Sequence, residues 1–458
     1  MTPHPDSDVA VIGAGISGLA CAYLLQCAGL RVTVFERDAR PGGVIASVSR
    51  DGFLSECGPN STLDGKDAFD AIVSDLGLRE RLAVASDEAK KRFILRGGAL
   101  HPLPMSPPAL LGSRLFSARG KARLLREPFV RPSAGGGEES VGAFVRRRFG
   151  PEAADYAAGP FVAGVYAGDP ERLSMGAAFP AVVDYERVHG SVIKGAIRAM
   201  RERRRTGKAR PRLVSFDGGM EVLVTSLAGA LAPRLRLSTP VTALARAGDG
   251  WEVAAEGAGT LRARAVVVTT PADVTAGLVS GLDPALSSRL REVPYAPVVS
   301  VYIGAPRERV AHPLDGFGFL VPEVEDGRIL GTIFNSSLFG GRAPRGMVAL
   351  TTFVGGMRQP DLADLDDRAV VELVREELGR RIGLSGEPAC VRVRAWRRAI
   401  PQYALGHGGL VAALGALEER TPGLHFGSNF VGGVSVGDCV ETAARVSRAV
   451  AKRLGPAA

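Results

Sequence analysis

Residues 8–43 read DVAVIGAGISGLACAYLLQCAGLRVTVFERDARPGG. An apolar run, Val9 to Ile12, leads into Gly13, Gly15 and Gly18, and a helix-like stretch comes next. A second apolar run then closes at Glu36. Strand, glycine loop, helix, strand and acid in that order make a dinucleotide-binding layout. Gly13 permits the tight turn, Gly15 lets backbone approach a pyrophosphate, and Gly18 lets the helix pack close on the strand. The helix N-terminus offers free N–H groups and a positive dipole end to the phosphates. Glu36 stands where a carboxylate accepts ribose hydroxyls.

The residues just after Glu36 discriminate between cofactors. They are Arg37, Asp38, Ala39, Arg40, Pro41, Gly42 and Gly43. An arginine and a glycine pair just past the ribose acid suit a longer cofactor whose second half turns inward. This continuation resembles the FAD-binding signature of the amine oxidase and phytoene desaturase superfamily. That superfamily often carries a second arginine after the glycine pair, where this chain has Val44. The difference is a departure from amine oxidases and carotenoid desaturases in particular.

The other end of the chain holds a second motif, GLHFGSNFVGGVSVGDCVETAARVSRAVAKRL (423–454). It predicts a short apolar strand, a glycine-rich passage and a helix opened by Gly437 and Asp438. The glycines admit a ligand to the backbone and the helix N-terminus can donate to it. Asp438 suits an N-cap or first-turn position. A glycine motif at each end fits one cofactor clamped by both.

The chain has 458 residues, which predicts two or three domains. Its 46% apolar content is enough for a large core. The net charge of +9 favours acidic partners: anionic lipid, nucleic acid or a polycarboxylate ligand. Cys21, Cys27, Cys57, Cys390 and Cys439 are scattered, without CxxC or zinc spacing, so reduced cytoplasmic thiols and no metal site are expected. Met1 to Asp8 carries no secretory pattern, and no run of about 18 apolar residues spans a bilayer.

Texture divides the chain into residues 1–85, 86–212, 213–294, 295–395 and 396–458. The first, third and fifth read as parts of one α/β domain. The stretch Leu235 to Thr270 alternates as strands, with hairpin turns at Gly248–Gly250 and Gly257–Gly259. Residues 295–395 read as a strand-rich layer and then a helix over Asp367–Ile382. Residues 86–212 read as mostly helical. There Leu110, Leu111, Leu115 and Phe116, in a helix-like LLGSRLF, mix with Arg114, Arg119, Lys121, Arg123 and Arg126. Such a helix lies on a membrane surface or packs its leucines inward with a solvated basic face. A second basic run, residues 201–212, reads as a flexible solvated loop. No reader motif accompanies the charge, so nucleic-acid binding is not expected.

Seven segments carry a more specific resemblance: GPNST (58–62), KRFILRGGALHPLP (91–104), GPFVAGVYAGDPERLS (159–174), GFGFLVP (316–322), LGTIF (330–334), WRRAIPQY (396–403) and NFVGGVSVGDCVE (429–441). Together they resemble the oxygen-dependent protoporphyrinogen oxidase family. The resemblance implies an α/β fold with a Rossmann-type FAD domain, a mixed-sheet substrate domain and a helical membrane-binding domain. It implies non-covalent FAD, a homodimer, and peripheral attachment to the inner face of the cell membrane. The implied cofactor residues are Gly13, Gly15, Gly18, Glu36, Arg37, Gly42, Gly43, Val241, Val436, Gly437 and Asp438. The implied reaction is six-electron oxidation of protoporphyrinogen IX by molecular oxygen with release of hydrogen peroxide. The same fold and chemistry admit coproporphyrinogen III as the alternative substrate. An amine oxidase or desaturase, or an inactive flavin- or porphyrin-binding partner, is more distant.

Arg92 matches the family position for a substrate carboxylate. Phe317 and Leu320 match wall positions around the macrocycle, and Phe353 is a further wall candidate. Gly164 and Gly168 imply close-approach backbone beneath the ring. No catalytic acid or base is implied. His407, in GHGG, reads as part of a turn.

Overall fold

The computed structural model describes residues 5–133, 137–207 and 209–455. Met1–His4, half of the N-terminal segment without a secretory pattern, and Lys208 of the second basic run lie outside the described residues.

The strand Ser7–Ile12 is fully buried and central to a seven-stranded sheet. Val32–Phe35 pairs with it on one side and Gly259–Val268 on the other, both parallel. The alternation of a solvent-facing strand is missing from Ala265–Val268 because both faces are covered. Gly259–Val268 is long enough to serve two partners. Its first half closes an antiparallel meander with Val241–Ala247 and Gly250–Ala255, through the two predicted hairpin turns. Its second half pairs in parallel with Leu424–Phe426 near the C-terminus.

Two helices join the chain ends. The N-terminal helix Ile16–Cys27 packs against the C-terminal helix Val436–Leu454. The Ser447 hydroxyl donates to the Cys21 carbonyl at 3.2 Å across that contact. Residues 13–18 and 433–438 are thereby brought to one edge of the sheet, although about 420 positions separate them.

A second sheet runs in the order Cys390–Pro401, Tyr295–Pro306, Met347–Gly355, Gly331–Ile333, Gly318–Leu320, Arg92–Arg96, Ala99–Pro102. One face carries Val299, Val301, Ile303, Leu350, Val354, Phe319, Phe93 and Leu95. It is closed by the helix Asp367–Ile382, whose bounds match the sequence reading. The texture of residues 86–212 concealed the hairpin Arg92–Pro102. Its five- and four-residue strands are too short for a clear period, yet Gly318–Leu320 pairs with Arg92–Ile94 and places the hairpin in this sheet.

The remainder of 86–212 is helical. LLGSRLF is not one helix. Pro107–Gly112 ends before Ser113, Leu115 and Phe116 turn into the core, and a new helix runs Ala118–Leu125 with Ser117 as N-cap. The basic run is not a loop at its start, because the helix Val192–Arg205 continues through Arg201–Arg205. Arginine is a good helix former, and the basic last turn complements the helix dipole. A buried carboxylate organises this layer. Glu127 accepts Arg148 Nε at 2.9 Å and the Val192 and Ile193 amides at 2.9 and 3.2 Å, capping that last helix.

Candidate functional site

Gly13 turns the chain with φ +101° and donates to Phe35 O at 2.8 Å, passing it between the first two strands. The three glycines then separate by what surrounds them. A Cβ on Gly18 would lie 1.8 Å from Gly13 O, so Gly18 is required by the protein's own packing. A Cβ on Gly15 would meet nothing within 4 Å, so its face is open, as a ligand approach requires. Gly43 (φ +58°) lies across from it, its own added Cβ falling 3.4 Å from Gly15 Cα. The Gly42 amide donates to Ala14 O at 2.8 Å. Arg40 fastens this second glycine turn, a role its sequence position does not show, by donating to Ile45 O at 3.1 Å and to Gly43 O.

Glu36 is buried. Its Oε2 accepts the Ala14 amide at 2.7 Å and its Oε1 the Asp38 amide at 3.0 Å. A carboxylate has about four acceptor positions, so capacity for ribose hydroxyls remains. Arg37 is exposed and sits 3.8 Å from Asp38 in an ion pair. Val241 begins its strand two residues after Thr239, whose amide donates to the main-chain carbonyl of Glu36 at 2.7 Å.

At the other end, Ser435 caps the C-terminal helix and accepts the Asp438 amide at 3.1 Å. Asp438 is therefore a first-turn residue, not the N-cap. Its carboxylate pairs with Lys66 and accepts the Ser435 hydroxyl at 2.5 Å, and so holds the helix start. The Gly437 amide goes to Thr62 Oγ1 at 3.2 Å. Of the first-turn amides, that of Val436 has no partner among the described residues. An open Gly15, two glycine turns facing each other and an unpaired helix-N-terminal amide fit an extended dinucleotide flavin.

The substrate candidates converge on the second sheet's other face. Directly paired residues share a face. Leu320 is opposite Gly331, and Gly331 is opposite Phe353. Arg92 is opposite Gly318, two residues before Leu320, so Arg92, Leu320 and Phe353 all point the same way. The Arg92 guanidinium lies 5.2 Å from the centroid of the Phe317 ring. Leu320 meets the helix Gly159–Tyr166 at Gly164, whose added Cβ would lie 3.1 Å from Leu320 Cδ2. Gly168 is different. It is buried, and its added Cβ would strike Gln402 Oε1 at 2.6 Å, so its close approach is to protein.

Residues 57–66 stitch this face to the cofactor edge. The Cys57 carbonyl accepts Trp396 Nε1 at 2.6 Å from the second sheet. Asn60 accepts Asn335 Nδ2 at 2.7 Å, and Thr62 and Lys66 hold the C-terminal helix start. Only the family resemblance of GPNST pointed to this seam, because Asn and Thr in a loop carry no period or charge signal. His407 is also not in a turn. Gly406 caps a helix over His407–Arg420, and the buried His407 ring reaches Phe430 O at 2.8 Å. Among the described residues, no group of three or more His, Cys, Asp or Glu is placed to hold a metal ion.

The sequence profile of the family described as flavin containing amine oxidoreductase matches residues 16–451. The chloroplastic protoporphyrinogen oxidase of Nicotiana tabacum is 37% identical over 98% of this chain and 86% of its own length. The coproporphyrinogen III oxidase of Bacillus subtilis (strain 168) is 30% identical over 94% of this chain and 95% of its own. Among solved structures, a chain assigned as a protoporphyrinogen oxidase from Exiguobacterium sp. 255-15 superposes with TM-score 0.81 at 25% identity, covering 98% of this chain and 99% of that one. The glycine turns and the helix-end amide that meet at the sheet edge are thus those of an FAD protein, and this chain belongs to the flavin-containing amine oxidoreductase family.

Proposed function

We propose that the chain oxidises protoporphyrinogen IX to protoporphyrin IX in tetrapyrrole biosynthesis. The observation that carries this reading is Arg92 stacked on Phe317 beside the apolar walls Leu320 and Phe353, on a face joined directly to the flavin edge. A porphyrinogen has a broad apolar body and carboxylate arms. The aromatic and leucine walls suit the body. The guanidinium suits a carboxylate arm, which it can grip through two parallel N–H groups. Stacking on the ring limits the rotamers of Arg92 and pre-orients that fork.

FAD held there would supply a two-electron acceptor for hydride, with molecular oxygen as the final oxidant and hydrogen peroxide as the product. The cofactor's holders are the glycine turns at Gly15 and Gly43, Glu36 and the Val436 amide. The chain's other residues bind and orient the ring and exclude water. Six electrons must leave, so each macrocycle is oxidised three times, and aromatisation drives the sequence without a strong protein base.

Coproporphyrinogen III is the second reading. Arg394 favours it: this exposed cation lies 4.2 Å from the Trp396 ring centroid and, through Ser300, shares the face of Phe353. A tetracarboxylate would use that additional charge. Steady-state kcat/KM for the two porphyrinogens decides between them, the proposal expecting protoporphyrinogen IX to be preferred. Failure to oxidise either would remove the enzyme assignment.

Peripheral attachment to the inner face of the cell membrane is part of the proposal. Its support is Leu111, 64% exposed, and Phe129, 84% exposed, beside Lys121, Arg123 and Arg126. Apolar side chains among cations suit an anionic bilayer surface. The homodimer is supported by the resemblance, and sedimentation equilibrium tests it.

A further inference from the structure

We propose that Tyr403 and His407 form a brace that sets the cofactor-facing loop 429–436, acting as positioning residues for FAD. The inference rests on the flavin site described above and adds residues outside both glycine motifs. The two rings are stacked, with centroids 4.3 Å apart and planes 9° from parallel. The Tyr403 hydroxyl donates to the Asn429 carbonyl and accepts the Gly433 amide at 2.7 Å. His407 Nε2 is 2.8 Å from the Phe430 carbonyl. A carbonyl only accepts, so Nε2 carries the proton.

Together the rings grip the turn Asn429–Gly432 at both ends, immediately before the helix cap Ser435 and the unpaired Val436 amide. The backbone there has little slack. Gly433 sits at φ +118°, and an added Cβ would lie 2.5 Å from Asp438 Cβ. The brace has a fixed foundation. The Ser174 amide donates to Tyr403 O at 2.7 Å, and neighbouring Gln402 Nε2 donates to Tyr166 O at 2.8 Å. Tyr166 ends the helix that carries Gly164. Tyr403 and its neighbour Gln402 therefore tie the cofactor loop to the helix that meets Leu320. Burial holds the His407 imidazole below its ordinary range and pushes the Tyr403 hydroxyl up. Both are neutral near pH 7, so the brace acts by geometry.

Tyr403→Phe keeps the stacked ring and removes the hydroxyl. The full-length apoprotein is titrated with FAD, tracking the quenching of flavin fluorescence, and the visible spectrum of the bound flavin is recorded. Tyr403→Phe should raise the FAD Kd roughly ten-fold and shift the flavin band. His407→Phe, which keeps a ring but loses the Phe430 bond, should raise Kd several-fold. Leu378→Ala is the control. Leu378 is a buried residue of the helix Asp367–Ile382, packed against the helix-covered face of the second sheet in a core that holds no residue of the loop, so its loss lowers Tm without touching the brace. That control should keep wild-type Kd and spectrum. Wild-type Kd and spectrum in both ring variants would overturn the brace, as would an equal loss in Leu378→Ala. If wild-type protein binds no FAD, the cofactor assignment falls first and the brace with it.

Discussion

The guanidinium of Arg92 lies over the ring of Phe317, 5.2 Å from its centroid, at the edge of a sheet face that is otherwise apolar toward Leu320 and Phe353. A cation fixed there has one evident use, to hold a carboxylate arm at a set distance from the ring it belongs to. Such an arm lies away from the reacting carbon and is held alike in ground and transition states. Arg92→Ala should therefore raise KM for porphyrinogen roughly ten- to a hundred-fold with a smaller fall in kcat, measured by steady-state kinetics. Arg92→Lys should restore only part of the loss, because a point charge does not reproduce the fork. Wild-type KM in the alanine variant would place the carboxylate elsewhere.

Gly15 and Gly18 belong to one motif, yet their surroundings differ. Gly18→Ala forces a methyl to within 1.8 Å of Gly13 O and should destabilise the apoprotein by about 2 kcal/mol or more. Gly15→Ala meets open space and should leave apoprotein Tm near wild type while weakening FAD binding. Thermal denaturation of the apoproteins and FAD titration separate the two. Equal apoprotein Tm losses would contradict the assignment of the open face.

Burial, with Arg453 and Arg445 nearby, pushes the His425 imidazole down to about 4. Its Nε2 is buried and has no hydrogen-bond partner among the described residues. The unfolded chain takes up a proton near pH 6.5 and the folded chain does not until about 4, so stability falls as pH drops through that interval, by about 3 kcal/mol in all. Glu56 acts in the opposite sense. Burial raises its carboxyl to about 7, which removes stability as pH rises from the ordinary carboxylate range. The wild-type profile mixes both, so His425→Gln isolates one. Relative to this variant, wild-type Tm should drop between pH 7 and 4.5. A constant difference would show that His425 does not titrate in that way.

On the helical layer, Phe129 projects beside Arg123 and Arg126, and Leu111 beside Lys121. The protein should float with anionic vesicles and be released by high salt. Phe129→Ser with Arg126→Ala should weaken the partition roughly five-fold or more. Flotation that ignores both changes would move the contact to another surface.

Much of this was legible in the chain. The glycine spacing, Glu36 and the C-terminal glycine helix pointed to segments that the fold gathers at one sheet edge, because turns and helix ends demand particular residues whatever surrounds them. The helix Asp367–Ile382 and the meander 241–268 were readable from period and turn chemistry. The features that escaped depend on tertiary pairing. Arg92–Arg96 is too short to show a period and joins its sheet through Gly318–Leu320, more than 200 residues away. Tyr403 and His407 look like any aromatic and any histidine until the fold stacks them under Asn429 and Phe430. LLGSRLF has a helical pattern, but Ser113 interrupts it so that Leu115 and Phe116 can reach the core.

The central claim is the oxidation itself, and the most direct measurement of it is peroxide yield per porphyrin. FAD-loaded protein is given protoporphyrinogen IX in air, and porphyrin fluorescence and hydrogen peroxide are quantified in the same reaction. Two electrons per turnover and six per macrocycle require three peroxide molecules for each protoporphyrin IX formed, at a rate proportional to enzyme and above the spontaneous background. Porphyrin formation no faster than in the enzyme-free control would contradict the account, and so would a yield well below three with catalase absent.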